Sequence, residues 1–302
     1  MKVLFTFPGQ GAQRPGMLRQ LPDGDSLLDE VSDVLAEDAR RLDSAEALRH
    51  TRAVQLCILI SGVAHARALE RQGTVADITA GLSIGAYPAA VMAGALTFSD
   101  ALRLVSLRGT LMENAWPCGY GLTAIVGFPP ERLLPLLGDD CWLANVNSPQ
   151  QLVIAGSDAA MARVGAEAKS LGAQRACRLA VSVPSHCELL TQPAQELAQA
   201  FQTVTLHCPR CAFLSGSSAR VLWQPQQIVD DLAYNMARRV NWYDAMVAAE
   251  EREVRLAIEM PPGATLTGLT RQSFSLGGEA IALEQSGPAL AARLAQRVKT
   301  GQ

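Results

Sequence analysis

The chain has 302 residues, enough for one large domain or two smaller ones. It is 49% hydrophobic and 18% charged, which provides for a sizeable core and excludes global disorder. A net charge of −3 and a pI near 5.9 give no support to nucleic-acid binding or to a basic membrane-binding surface.

Seven cysteines are scattered along the chain, and only Cys208-Pro-Arg-Cys211 has close spacing. It lacks a second metal-like pair, so reduced thiols in a cytoplasmic protein are expected. The first residues carry one lysine and a short apolar run, too short for the core of a signal peptide. The longest apolar stretch, 53–69, is interrupted by Gln55, Ser61 and His65 and reads as a buried helix, with no membrane span expected.

In chain order, 2–7 is an apolar strand that ends in Pro8-Gly9-Gln10-Gly11-Ala12-Gln13. Its glycines suggest a loop whose N–H groups face a site, although an ordinary strand-to-helix turn fits as well. Residues 26–52 read as exposed amphipathic helices and 53–72 as the buried helix, stopped by Gly73. A short strand over 76–80 leads into Gly81-Leu82-Ser83-Ile84-Gly85, which has the Gly-x-Ser-x-Gly pattern of a nucleophile elbow. A helix is expected over 84–96, with a kink at Pro88. Thr97-Phe-Ser-Asp100 resembles a capping box, opening a helix to about 115 that carries Arg103 and Arg108.

The rhythm changes after Pro117-Cys118-Gly119. Strand 121–128, helix 131–137, strands 141–147 and 151–155, helix 158–171 and strand 174–180 have the order β-α-β-β-α-β, the ferredoxin-like signature. A small domain over 118–183 is therefore expected, inserted into a large one formed by 1–117 and 184–302. The remainder reads as helix 193–201, strands 204–206 and 212–214, helices 228–240 and 241–251, strand 255–260, a turn at Pro261-Pro262-Gly263 into another helix, strand 280–283 and helix 288–298. Strands alternating with helices argue for an α/β fold around a mostly parallel sheet.

A serine nucleophile needs a base, and the chain has four histidines. His50 lies among charges, His65 within the long helix, and His207 at a strand end. His186 follows Pro184-Ser185 in a loop that returns the chain to the large domain, where catalytic groups collect. No Asp or Glu stands out as a third member; a backbone carbonyl can instead orient the imidazole. Arg108, within an otherwise apolar helix, is either one half of a structural ion pair, a snorkelling surface side chain, or a fork for a substrate carboxylate.

Six motifs in this order resemble the malonyl-CoA:acyl-carrier-protein transacylase family over nearly the whole chain: Phe7-Pro-Gly-Gln-Gly-Ala-Gln13, Gly81-Leu-Ser-Ile-Gly85, Leu107-Arg-Gly109, Asn147-Ser-Pro149, Val183-Pro-Ser-His-Cys187 and Gly263-Ala-Thr-Leu-Thr-Gly-Leu-Thr270. The resemblance implies an α/β-hydrolase-like large domain with a ferredoxin-like insertion. It implies Ser83 as nucleophile, His186 as base, N–H groups of Gln10 and Ile84 as oxyanion hole, Arg108 on the malonyl carboxylate, and Asn235 supplying the carbonyl that orients the histidine. It implies malonyl-CoA and an acyl carrier protein as partners, with no metal or bound cofactor.

The elbow departs from the fatty-acid-synthesis branch, which usually has His before the serine and Leu-Gly-Glu after it. Leu82-Ser83-Ile84-Gly85-Ala86-Tyr87 is more similar to the malonate decarboxylase epsilon subunit. That branch, charging the decarboxylase's own carrier subunit, is the first expectation. Malonyl transfer in fatty-acid or polyketide synthesis is the alternative. A serine hydrolase or thioesterase, or a non-catalytic carrier-binding subunit, would be a different class. Arg238 and Arg239 are candidate docking charges for an acidic carrier, or simply a solvated helix face.

Overall fold

The computed structural model describes residues 1–116 and 118–301; the boundary expected at 117 falls on a residue outside them. Among the described residues ten strands form two sheets: β1 (Lys2–Phe7), β2 (Ile78–Gly81), β3 (Tyr120–Val126), β4 (Cys141–Ser148), β5 (Gln151–Ser157), β6 (Arg175–Arg178), β7 (Ala212–Leu214), β8 (Val221–Leu222), β9 (Val254–Glu259) and β10 (Glu279–Ala282).

The larger sheet has the order β10-β9-β1-β2-β7-β8. Every pairing in it is parallel except that of the outermost, β8 with β7. Alternation along β1 explains its central place. Val3, Phe5 and Phe7 enter a core shared with Leu56, Ile60 and Val63 of the helix Thr51–Arg71 and with Leu102 and Val105 of the helix Phe98–Ala115. Leu4 points the other way, toward Trp242, Met246, Leu266 and Leu269. A strand covered on both faces is apolar throughout, as its sequence is. The helix Thr51–Arg71 is long and apolar enough to cross a membrane, yet 78% of its most apolar window is buried inside the fold. Truncating one of its fully buried residues, such as Leu56 or Ile60, to alanine should cost about 2–5 kcal/mol.

The smaller sheet, β4-β5-β3-β6, is antiparallel throughout and has the ferredoxin-like strand order. The fold is thus the expected α/β-hydrolase-like parallel sheet with a ferredoxin-like companion. One face of the small sheet packs Ile125, Leu152 and Ile154 on Met161 and Val164 of the helix Asp158–Ser170. The other carries Leu122, Ala144 and Val153 toward Cys187 and Leu189. Its edge is stitched to the large sheet's side of the molecule at one residue. The Val146 N–H donates to the Val240 carbonyl, and the Val240 N–H donates to the Ala144 carbonyl, each at 2.8 Å.

Several local expectations shift. Residues 204–206 form no strand, because β8 already occupies the outer edge of β7; the chain instead runs past the elbow helix, with His207 N–H on the Ala95 carbonyl at 2.9 Å. The elbow helix is shorter than expected: one 3₁₀ turn over Ser83–Gly85, then a helix over Ala86–Met92. Pro88 thereby falls in the first turn, where a missing N–H costs little, and no kink is needed. The last helix, Leu283–Thr300, begins early and breaks at Gly287, with φ 73°.

Candidate active site

Parallel-sheet strands deliver their following loops to one end of the sheet, and β1 and β2 are neighbours. The loops after them meet there. Ser83, directly after β2, has φ 57°, a left-handed conformation rare outside glycine. The tight turn explains both glycines of the pattern. A Cβ on Gly81 would lie 1.9 Å from the Gly85 carbonyl, and one on Gly85 would lie 2.1 Å from the Phe7 oxygen. Both obstacles are backbone and cannot rotate aside. Gly81→Ala or Gly85→Ala should therefore cost at least about 2 kcal/mol in a denaturant titration. Gly268→Ala, on an exposed helical position with nothing within 4 Å, should be neutral or stabilising.

His186 also has a left-handed backbone, φ 66°, and its N–H is held by the Met236 carbonyl at 2.6 Å. Its Nδ1 faces two main-chain carbonyls, Asn235 at 2.8 Å and Arg238 at 3.2 Å. Carbonyls only accept, so Nδ1 carries the proton and Nε2 keeps a lone pair. That lone pair faces Ser83 Oγ at 2.9 Å. Asn235 and Arg238 stand after the helix Pro225–Tyr234, within and just past a 3₁₀ turn, and the Asn235 carbonyl also takes the Arg238 N–H at 3.3 Å. Burial, and then the positive charge of Arg108, push the imidazole down to about 4. It is neutral at neutral pH and free to accept a proton.

Arg108 is fully buried behind Ser83. Nη1 donates to Gln55 Oε1 at 2.8 Å; Nη2 donates to Asn235 Oδ1 at 3.1 Å and to Ser83 Oγ at 3.3 Å. Among the described residues no carboxylate pairs with it, and Nε has no partner. Burial lowers the guanidinium to about 10, so it stays charged at neutral pH. An unpaired buried cation is costly and calls for an anionic ligand.

In front of Ser83 opens a cleft of about 290 Å³, lined by Gln10, Gly11, Asn145, Asn147 and His186 among others. A larger cavity of about 360 Å³ lies beside Arg14, His65 and Pro261, apart from Ser83 and His186. The loop after β1 presses on the elbow, where a Cβ on Gly9 would meet the Leu82 side chain at 2.8 Å. The N–H groups of Gln10 and Ile84 make no hydrogen bond among the described residues.

The structure thus brings Ser83, His186, Arg108, Gln10, Ile84 and Asn235 together. The other histidines lie elsewhere: His50 is exposed on Glu113, His65 bonds the Ser61 carbonyl, and His207 is exposed. Arg103 pairs with Asp100, Arg238 with Asp230, and Arg239 with Asn241. Two residues were not picked out as site residues from the sequence. Gln55, read only as an interruption of the apolar helix, holds Arg108 and donates to Gln10 Oε1 at 3.2 Å. A polar side chain amid so apolar a helix was the available signal. Asn145 is buried with its Oδ1 unpartnered, on the wall of the cleft.

An imidazole whose pKa has fallen to about 4 remains unprotonated through the mildly acidic range. The rate of any reaction at Ser83 that needs the His186 lone pair should hold down to about pH 5 and be halved near pH 4. Removing the Arg108 charge should move that limb upward but short of the ordinary 6.5, because burial is the larger cause. Quenched-flow acylation rates across pH for wild type and Arg108→Ala check both points.

Residues 4–292 match the acyl transferase domain family. The chain belongs to that family. It is 35% identical over 286 residues to the malonyl CoA-acyl carrier protein transacylase of Haemophilus influenzae, spanning 90% of this chain and 92% of that protein. The solved malonyl CoA-acyl carrier protein transacylase of Coxiella burnetii superposes with a TM-score of 0.90 at 31% identity, over 99% of this chain and 98% of that one. A malonyl transacylase solved in complex with its type II polyketide-synthase acyl carrier protein gives a TM-score of 0.90 at 33% identity, over 97% and 99% of the two chains. This acyltransferase carries Ser83 on the elbow of the parallel sheet, and the cleft in front of it is lined in part by residues of the antiparallel one.

Proposed function

We propose that the enzyme moves a malonyl group from malonyl-CoA to the phosphopantetheine-type thiol of an acyl carrier protein by a ping-pong route. His186 Nε2 takes the Ser83 proton as Oγ attacks the thioester carbonyl. The resulting oxyanion is held by the N–H groups of Gln10 and Ile84, worth a few kcal/mol in the transition state. Collapse breaks the C–S bond, and the leaving CoA sulfur takes the proton from His186. The carrier thiol then repeats these steps in reverse, giving its proton to His186 and regenerating Ser83. Arg108 receives the malonyl carboxylate, and Asn145 Oδ1 offers an acceptor to an amide N–H of the pantetheine arm.

The observation that carries this reading is the buried guanidinium without a counter-ion, 3.3 Å from the nucleophile. The cation selects an acyl group that ends in a carboxylate; transfer and hydrolysis are separated by whether the acyl-serine waits for a thiol acceptor. The relatives named above favour transfer in fatty-acid or polyketide synthesis over the malonate decarboxylase epsilon subunit, to which they give no support. The elbow sequence Leu82-Ser83-Ile84-Gly85-Ala86-Tyr87 is the one feature that favours the decarboxylase subunit. Transfer rates from malonyl-CoA to a fatty-acid-type carrier and to a decarboxylase carrier subunit separate the two. A faster rate to the fatty-acid or polyketide carrier is expected, and a preference for the decarboxylase carrier would reverse the branch. Release of free malonate without any acceptor, at a rate matching transfer, would replace both with hydrolysis.

A further inference from the structure

One residue touches the base, the clamp and the elbow together. The main-chain carbonyl of Asn235 takes the His186 Nδ1 proton at 2.8 Å. Its side-chain Oδ1 accepts from Arg108 Nη2 at 3.1 Å, and its Nδ2 donates to the Ser83 main-chain oxygen at 3.3 Å. The amide orientation is fixed by chemistry: the guanidinium only donates and the carbonyl only accepts. We propose that the Asn235 carboxamide is a positioning residue for acyl selection, setting the Arg108 fork against Ser83 so that a thioester with a terminal carboxylate is preferred over an uncharged one, separately from the main-chain contact that orients His186.

The inference rests on the acyl-transfer reading and extends it. Arg108 needs acceptors that hold its plane without cancelling its charge. Gln55 and Asn235 are both neutral carboxamides, one on each terminal nitrogen. A carboxylate at either place would hold the fork more tightly but occupy the charge that an incoming acyl carboxylate must find. The two functions of residue 235 separate in part: the His186 contact is main-chain, while the side chain serves Arg108 and, through Nδ2, the Ser83 main-chain oxygen. Any side chain there retains the carbonyl for His186, so the dyad survives a substitution that frees the clamp. Asn235 is buried, 2% exposed, and solvent cannot replace its side chain.

The test compares acylation of the full chain by malonyl-CoA and by acetyl-CoA, with kcat and KM determined separately. Losing one hydrogen bond to a charged group, about 1.5–3 kcal/mol, corresponds to roughly 10- to 100-fold. Asn235→Ala should lower malonyl kcat/KM by that factor, mainly through KM, and lower acetyl kcat/KM clearly less, so that the malonyl-to-acetyl ratio falls about tenfold or more. Asn235→Asp should lose the preference at least as far, because its carboxylate fills the fork. Asn235→Gln, which restores a carboxamide, should return most of the malonyl preference. Equal losses for both thioesters in Asn235→Ala, or an unchanged ratio, would overturn the proposal. If Asn235→Ala fails to fold by circular dichroism, the Asp and Gln variants decide: a malonyl preference kept in Asn235→Asp overturns it, and loss in Asp with retention in Gln supports it. Wild-type protein that takes no acyl group on Ser83 from either thioester would instead remove the acyl-transfer reading itself.

Discussion

Replacing Ser83 with alanine is expected to lower malonyl transfer by at least about 10⁴-fold and to abolish any covalent adduct. The magnitude follows from the scheme's dependence on a single oxygen. Among the described residues Oγ is the side-chain atom held 2.9 Å from His186 Nε2 in the cleft, and without it neither half-reaction has an acceptor. His186→Ala should cause a comparable loss, and the double variant should be little worse than either alone, because the two groups act as one unit. Ser83→Ala should keep its fold, since a serine hydroxyl contributes little to the core around it, whereas the variants lacking the buried His186 imidazole should lose some stability. Transfer assays paired with thermal denaturation separate these effects. A Ser83→Ala protein retaining more than about one-hundredth of wild-type transfer would mean that the hydroxyl is not the acyl carrier.

Arg108→Ala is expected to reverse the acyl preference. Its malonyl kcat/KM should fall by roughly 10²- to 10⁴-fold, the worth of about 3–5 kcal/mol for a buried charge pair that loses one partner. Acetyl transfer should fall far less, because the acetyl group has no carboxylate to lose. Stability gives an independent reading of the same site. The guanidinium in the unloaded enzyme has only neutral acceptors, Gln55, Asn235 and Ser83 Oγ. Loading a malonyl group supplies its counter-ion, so the malonyl-enzyme should melt at a higher temperature than the acetyl-enzyme. In Arg108→Ala the two loaded forms should melt together. An unchanged malonyl-to-acetyl ratio in that variant would remove the carboxylate-binding role.

The fold was legible because its signals are local. The apolar run of β1, the break at Gly73 and the βαββαβ rhythm each follow from side-chain periodicity and turn residues, which report neighbouring positions. The elbow was legible for a sharper reason. A Cβ at Gly81 or Gly85 would lie 1.9 or 2.1 Å from backbone atoms, which leaves no alternative residue, so the motif records the geometry directly. Contacts made across long separations left weaker marks. Gln55 lies 53 positions from Arg108, and nothing near it in the chain announces the partnership. Asn235 could be aligned as the source of a carbonyl, but every residue has one; its side-chain link to Arg108, 127 positions away, needed coordinates. The absent strand over 204–206 has the same origin. Val204-Thr205-Leu206 suits a strand, but the sheet edge it would need is taken by β8.

The decisive measurement is peptide mapping of the wild-type enzyme by mass spectrometry after brief exposure to malonyl-CoA, repeated after addition of a thiol-bearing acyl carrier protein. One malonyl group on the peptide containing Ser83, stable without an acceptor and transferred to the carrier when it is supplied, is the expected result. A malonyl group on any other residue, or carrier loading with no acyl-serine at any time, would contradict a serine-borne intermediate.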